Sequence, residues 1–372
     1  MKRITLGELC HPNVRQLKAN EETMIDYIDI ASVDNVSKKI KGFQTMPFGE
    51  APSRARKPVQ NGSILVSTVR PNLNAVAILE EGTPNISVAS TGFCILDCKD
   101  STDKRFVFNF CNSKRFVNDM VSQATGASYP AVNDKIVRNS LVPAYSYEEQ
   151  CRIGQILDKV STLIETRTQE LKSLDDLIKA RFVEMFGEDI KQSNMTIADI
   201  AEETTVGIAN SATHAYSESG VVMLRNQNIR VNYLDDRDLI YIKQDFAEKY
   251  KNKALHEGDI LVTRTGANVG MACIVPKKYE GCQTFTTLIL RLRKDISISP
   301  IFVCHYINSP LGKSFVDENK IGGGQPNFGA KQLSIMPIVV PSEEKQIAFD
   351  LFVNQVDKSK HHFSSSSLFS GF

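Results

Sequence analysis

One stretch of this chain occurs twice, and the recurrence governs what the whole can fold into. Asn61-Gly62-Ser63-Ile64-Leu65-Val66-Ser67 matches Glu257-Gly258-Asp259-Ile260-Leu261-Val262-Thr263 at a shift of 196 residues. The same shift carries Gly126 onto Gly322, Pro130 onto Pro326, Gln150 onto Gln346, Ile153 onto Phe349 and Val160 onto Val356. A constant shift over about 100 residues marks a duplicated unit, each copy closing a core of its own. Between these landmarks the copies diverge, most in 34–57 against 228–251. The frame is shared and the filling is not.

Between the copies, residues 148–186 carry Ile153, Leu157, Val160, Ile164, Leu171, Leu174, Ile178 and Met185 at alternating steps of four and three, with Arg167 and Arg181 as members. That spacing is a heptad seam. Neither Pro nor Gly interrupts it between Gln155 and Phe186, so the pattern predicts one helix, stopped by Gly187. At 1.5 Å per residue such a helix is roughly 55 to 60 Å long, which suits a spacer. It reads otherwise as a long surface helix packed on its own domain. Arg167 and Arg181 are read as lying along apolar neighbours with their heads in water, or as pairing with acidic residues of another helix.

In the first copy the pattern predicts a short helix or turn over 2–8, a strand over 24–31, strands over 61–69, 74–79 and 87–96, an amphipathic helix over 104–122 and a last strand before Pro143. Phe106, Phe110, Phe116, Val117 and Met120 form the apolar face of that helix. A second seam helix starts near Ser342, but after Lys360 the chain reads HHFSSSSLFSGF, without helical periodicity, so it is expected to be about half as long.

With 372 residues there is room for two domains and a connector. A net charge of +1 neither supports nor excludes a polyanionic partner, because basic residues can gather on one face. Eight scattered cysteines without a CxxC pair argue against a zinc site and for free thiols in a reducing compartment. No export signal and no run of 18 apolar residues is present, which predicts a cytoplasmic protein without a membrane span.

Catalytic patterns fail on spacing. The segment Pro310-Leu311-Gly312-Lys313-Ser314 ends like a phosphate loop but has Ile307 where the first glycine belongs. Gly322, Gly324 and Asn327 miss the third glycine of a dinucleotide loop. A transferase acting on a flipped adenine needs an Asn/Asp-Pro-Pro-aromatic loop, and RPNLN and QPNFG lack its second proline. The six histidines form no cluster with carboxylates or cysteines, and there is no additional domain bearing an Asp…Glu-x-Lys constellation and no spare length to house one. No catalytic site and no cofactor of its own are therefore expected.

Two unlike units, each with a GDILVTRTG-like strand (258–266), a glycine-proline loop (GGGQPNF, 322–328) and then a helix (EEQCRIGQIL, 148–157; KARFVEMFG, 179–187; QIAFDLFVNQVDKSK, 346–360), resemble the DNA specificity subunit of type I restriction-modification systems. The resemblance spans nearly the whole chain, and the twice-repeated order carries it. It implies an α+β fold: two repeated mixed α/β target-recognition domains, separated by long antiparallel coiled-coil helices with pseudo-twofold symmetry. The expected division is 1–147, the first recognition domain; 148–186, the spacer helix; 187–341, the second recognition domain; and 342–372, a shortened second helix with a Ser-rich tail. The resemblance further implies double-stranded DNA as ligand, with two methyltransferase subunits and restriction/translocase subunits as partners. S-adenosylmethionine, ATP and Mg belong to those partners. The truncated seam after Lys360 departs from the family pattern and bears on spacer rigidity and on one methyltransferase contact.

For DNA contact, Arg70, Asn72 and Asn74 follow the ILVSTV strand in a short turn, and Arg264, Thr265 and Asn268 occupy the corresponding place in the second copy. Arginine suits guanine edges or phosphate and asparagine suits adenine. Gly126, Ser128 and Tyr129, with Gly323, Gln325 and Asn327, form a second set, whose small residues expose backbone N–H groups to a phosphate. The first set reads otherwise as a surface hairpin whose polar side chains only face water, and the second as a tight turn that needs glycine for backbone reasons alone. Arg54, Arg56, Lys57, Arg225, Arg230, Lys249, Lys251 and Lys253 lie in the divergent parts, where distinct half-sites would be read. The rival reading is a scaffold that binds only proteins through its helices.

Overall fold

The computed structural model describes residues 2–12, 16–209, 212–324 and 326–365, and the chain divides into two units, Met1–Thr168 and Gln169–Phe372. The first unit opens with β1 (Arg3–Thr5) and α1 (Leu6–Leu9), begun where Glu8 accepts from the Thr5 N–H at 2.7 Å. It continues through β2 (Met24–Ile28), β3 (Gln44–Pro47), β4 (Ala55–Pro58), β5 (Ile64–Ser67), β6 (Val76–Ile78), β7 (Ile86–Ser90) and β8 (Phe93–Leu96). After α2 (Lys104–Cys111), α3 (Lys114–Gln123), α4 (Asp134–Arg138) and β9 (Leu141–Pro143), the chain enters α5 (Tyr147–Lys191). The second unit adds α6 (Ile197–Ile200), β10 (Ala201–Val206), β11 (Tyr216–Ser217), β12 (Val221–Arg225), β13 (Ile229–Arg230), β14 (Tyr233–Leu234), β15 (Ile240–Ile242) and α7 (Gln244–Lys249). It ends with β16 (Ile260–Val262), β17 (Ala272–Ile274), β18 (Gln283–Phe285), β19 (Leu288–Leu292), α8 (Pro300–Asn308), α9 (Pro310–Asn319), α10 (Ala330–Ser334) and α11 (Glu343–Ser365).

The repeated ILV motif is apolar at consecutive positions because its strand is buried on both faces. In β5, Ile64 and Val66 face a core shared with α2 and α3, while Leu65 faces a second core with Ile28, Ala89 and Phe93. In β16, Ile260 and Val262 face one core and Leu261 another. Pairing repeats as well: β6-β5-β8 is antiparallel, as is its counterpart within β10-β19-β16-β17. Beside each lies a mixed sheet with one parallel pair, β2 with β7 and β12 with β18.

Several sequence expectations are corrected. Strand β2 alternates apolar and polar residues yet is buried on both sides, because Asp26 is satisfied internally, accepting from the Thr45 hydroxyl at 2.6 Å and the Asn85 N–H at 2.9 Å. The helix expected over 104–122 is two helices, since the Ser113 hydroxyl caps a new start by accepting from the Phe116 N–H at 3.2 Å. Helix α5 runs through Gly187 to Lys191, because Ile190, one turn after Phe186, is itself buried. Helix α11 likewise continues past Lys360 to Ser365. The end of the Ser-rich tail, 366–372, lies outside the described residues.

The seam of α5 is also redrawn. Within the second unit its buried positions are Ile178, Phe182, Phe186 and Ile190, spaced by four, rather than the line through Arg181 and Met185. They pack on Phe302, Tyr306 and Phe349, a broad globular core whose steps of four depart from the 3.5-residue period of a supercoil seam. Arg181 instead pairs with Glu184 on the helix surface at 2.8 Å. Helix α11 runs antiparallel to this part of α5: Lys345 pairs with Asp189 and Lys360 with Asp175, both at 2.7 Å. Residues 161–169 are exposed at every position, including Leu163 and Ile164.

Candidate nucleic-acid interface

In the first unit the chain leaves β5 into a turn that is stitched to the glycine loop. Val132 N–H donates to Thr68 O at 2.8 Å, Arg70 N–H donates to Pro130 O at 2.7 Å, and Thr125 and Ala131 exchange bonds of 3.0 and 2.9 Å. Arg70 and Asn74 both take left-handed backbone conformations, φ 48° and 47°, around a single turn over Pro71–Leu73. Such conformations cost non-glycine residues free energy and persist where the surroundings hold them. Here buried Pro71 and the bond to Pro130 do so.

The turn aims its side chains outward. The Arg70 guanidinium lies over the exposed Tyr129 ring, 4.8 Å from its centre, and Asn72 and Ser128 are exposed beside them. Asn74 faces inward: its side-chain amide donates to Asn112 Oδ1 at 3.1 Å, and its backbone carbonyl accepts from Lys38 at 2.7 Å. Gly126, φ 98°, is required by the backbone, since a Cβ there would meet Tyr129 O at 2.9 Å.

The second unit repeats this ladder at the 196-residue shift. Phe328 N–H donates to Arg264 O at 2.8 Å, Gly266 N–H donates to Pro326 O at 3.3 Å, and Ile321 and Asn327 exchange bonds of 2.8 and 2.9 Å. Gly322 copies the φ of Gly126 at 98°. The side chains differ. Arg264 donates from Nε to Asn327 Oδ1 at 3.2 Å, so these two proposed contacts are joined, and Asn268 and Gly323 are exposed. Gln325 lies outside the described residues.

The sequence reading missed Asn226, which donates to the Thr265 hydroxyl at 3.2 Å from the turn after β12. Its Oδ1 and the Nε of Arg225 are buried without a protein partner, and Gln227 beside them is exposed. The run Arg225-Asn226-Gln227-Asn228 at a strand end was the available signal. Of the divergent basic residues, Arg54 pairs with Asp29, Arg230 with Asp235 and Lys57 with Asp134, while Lys253 donates to Val206 O. Arg56 lies over Phe48, Arg225 donates to Asp238 O, and Lys249 and Lys251 are exposed. Gly312 of the phosphate-loop-like string is buried in α9, where a Cβ would collide with Tyr306 O. Among the described residues no group of three or more His, Cys, Asp or Glu is placed to hold a metal, and no helix is long and apolar enough to cross a membrane.

Comparison with known proteins gives the same direction. A family model described as the type I restriction modification DNA specificity domain matches residues 191–360. The specificity subunit of the type I restriction enzyme MjaVIII from Methanocaldococcus jannaschii is 23% identical over 253 residues, covering 63% of this chain and 60% of that protein. The alignment thus spans less than two thirds of that relative's length. The S subunit of a type I restriction-modification system from M. genitalium shares the fold with a TM-score of 0.58 at 12% identity, over 98% of this chain and 91% of that one. A chain from a type I system solved to explain complex assembly and conformational transition gives 0.55 at 22% identity, over 98% and 93%. Residues 191–360 thus match a type I restriction modification DNA specificity domain, and the chain shares the fold of a type I S subunit.

Proposed function

We propose that this chain is the sequence-reading subunit of a cytoplasmic type I restriction-modification complex, recognising a two-part DNA target and scaffolding two methyltransferase subunits, with restriction/translocase subunits joining outside them. The subunit recognises and does not catalyse; S-adenosylmethionine, ATP and Mg would serve the partner subunits. The domains at 1–147 and 187–341 would each read one half-site, with the spacer over 148–186 and its shorter partner over 342–372 forming a pseudo-twofold antiparallel pair that sets the unread gap.

The observation that carries this reading is the ladder built twice at one shift, 68–70 with 125–132 and 264–266 with 321–328. One backbone frame offers different side chains: Arg70 with Tyr129 and Asn72 in one copy, Arg264 with Asn327, Thr265 and Asn226 in the other. Identical frames with unlike tips suit two unlike half-sites.

The test uses the chain co-expressed with its methyltransferase partners. Arg70→Ala and Arg264→Ala should each weaken binding to the target DNA about tenfold or more, as a lost base contact costs about 1 to 3 kcal/mol. Methylation-sensitive sequencing should show relaxation confined to one half of the motif for each variant. Unchanged binding by the double variant would remove these loops from the interface and favour the protein-only scaffold.

A further inference from the structure

The first unit gathers Cys10, Cys94 and Cys111 in one core, with Cys98 packed against it. Two of the four are arranged for chemistry that DNA recognition does not use. Cys10, just after α1, and Cys98, just after β8, face each other across a single antiparallel bridge. His11 N–H donates to Asp97 O at 2.8 Å and Lys99 N–H donates to Leu9 O at 3.0 Å. Bonds from the residues on either side, and none between the pair itself, define the narrow site of an antiparallel ladder, where opposed Cα atoms lie about 4.5 Å apart. That separation falls within the range of about 4.4 to 6.8 Å that a disulfide spans. The second unit places Ala201 opposite Leu292 in its corresponding pairing, so the thiols are not demanded by the repeated frame.

We propose that Cys10 and Cys98 form a reversible disulfide when the protein meets a peroxide. Cys98 is half-buried and open to solvent on one side, whereas Cys10 is buried. A hydrogen bond from Cys98 holds the Cys10 thiol below its ordinary range, aided by the Arg138 charge, so the pair shares a proton. The same bond, with burial, raises the Cys98 thiol, so the proton stays on Cys98 and the thiolate sits at Cys10. Its sulfur attacks one peroxide oxygen, the O–O bond breaks, and the other oxygen leaves as water after taking a proton, which makes Cys10 a sulfenic acid. The Cys98 sulfur, losing its proton, then attacks the Cys10 sulfur, forming the S–S bond and expelling the hydroxyl as a second water. Two thiols and one peroxide become one disulfide and two waters.

The test takes the full chain, reduced and then treated with one equivalent of hydrogen peroxide, alkylated in denaturant and mapped by peptide mass spectrometry. The expected result is a linked peptide pair containing Cys10 and Cys98, lighter by two hydrogens and resolved by dithiothreitol, and a higher melting temperature for the oxidised form, because the link closes a long loop. Cys98→Ser should leave Cys10 as a sulfenic acid trapped by dimedone. A link between other cysteines, oxidation of Cys10 to sulfinic acid without a link, or no thiol loss in the wild-type chain would each overturn the proposal. The wild-type map decides it even where the variant fails to fold.

Discussion

Residue Gly154 stands where the second copy has Asp350, and the exchange is compensated across the contact. In the first unit the Asp103 carboxylate caps α2 and occupies the space beside Gly154, where a Cβ would meet its Oδ1 at 2.6 Å. In the second unit Ser299 caps α8, and its hydroxyl donates to Asp350 at 2.8 Å. The neighbouring glutamines tie both arrangements together. Buried Gln150 accepts from the Asp103 N–H and donates to Tyr145 O, while Gln346 accepts from the Ser299 N–H and donates to Pro341 O. Gly154→Asp should destabilise the first unit by about 2 to 4 kcal/mol, two carboxylates meeting in a half-buried site. Adding Asp103→Ser should restore part of the loss; urea unfolding of the two variants measures both, and no rescue would refute the compensation. His305 supplies a second test. Its imidazole is buried, accepts or donates at Nδ1 to Asn232 at 3.3 Å, and burial lowers its pKa to about 4, against Asp357 and Asp175, which raise it, with Lys360 lowering it further. The unfolded chain binds a proton that the folded one refuses, so stability falls as pH drops from about 6.5 to about 4, by about 3 kcal/mol. His305→Phe should flatten that slope in pH-dependent unfolding.

Among the elements, α5 changes character along its length. Near its start, Gln150, Ile153 and Gly154 are held by α2 and the first core, with Asp158 accepting from Asn109 and pairing with Arg105 at 3.4 Å. Near its end, Phe182 and Phe186 are fully buried among aromatic rings. Between them, 161–169 rests on the helix's own backbone bonds and on surface pairs such as Lys39 with Glu165 at 3.1 Å. Helix propensity and charge pairs give only tenths of a kcal/mol per residue, so the anchored ends fix the helix. Phe182→Ala should cost the second unit about 3 to 5 kcal/mol, whereas Arg181→Ala should stay within about 0.5 kcal/mol. Equal effects in thermal unfolding would restore the seam through Arg181.

At the scale of the molecule, the proposed function has duplication let one frame serve two readings. Multiplying two short recognitions gives a specificity that either alone lacks, provided the gap between half-sites is fixed. Deleting one heptad from the exposed middle of α5, Leu163 to Gln169, removes no residue of either hydrophobic core. The expected result is a methylated motif with both halves intact and a changed unread gap. An unchanged gap would show that α5 is not the ruler.

The duplication, the long helix and the unbroken ILV strands were legible in the sequence because they are periodic or repeated, and a strand apolar at every position admits few environments. Lost from view were the features set by a partner distant in sequence. Phe182 rather than Arg181 faces inward because α8 and α11 supply aromatic rings; Gly187 does not stop α5 because the next turn is buried; Asn74 turns inward to Asn112; and Asn226 reaches Thr265 from 39 residues away. Local spacing determines which residues can share a face. Which of those faces is buried, and which polar groups remain turned to solvent, is decided only when the chain packs, since burial free energy depends on what is brought against each face.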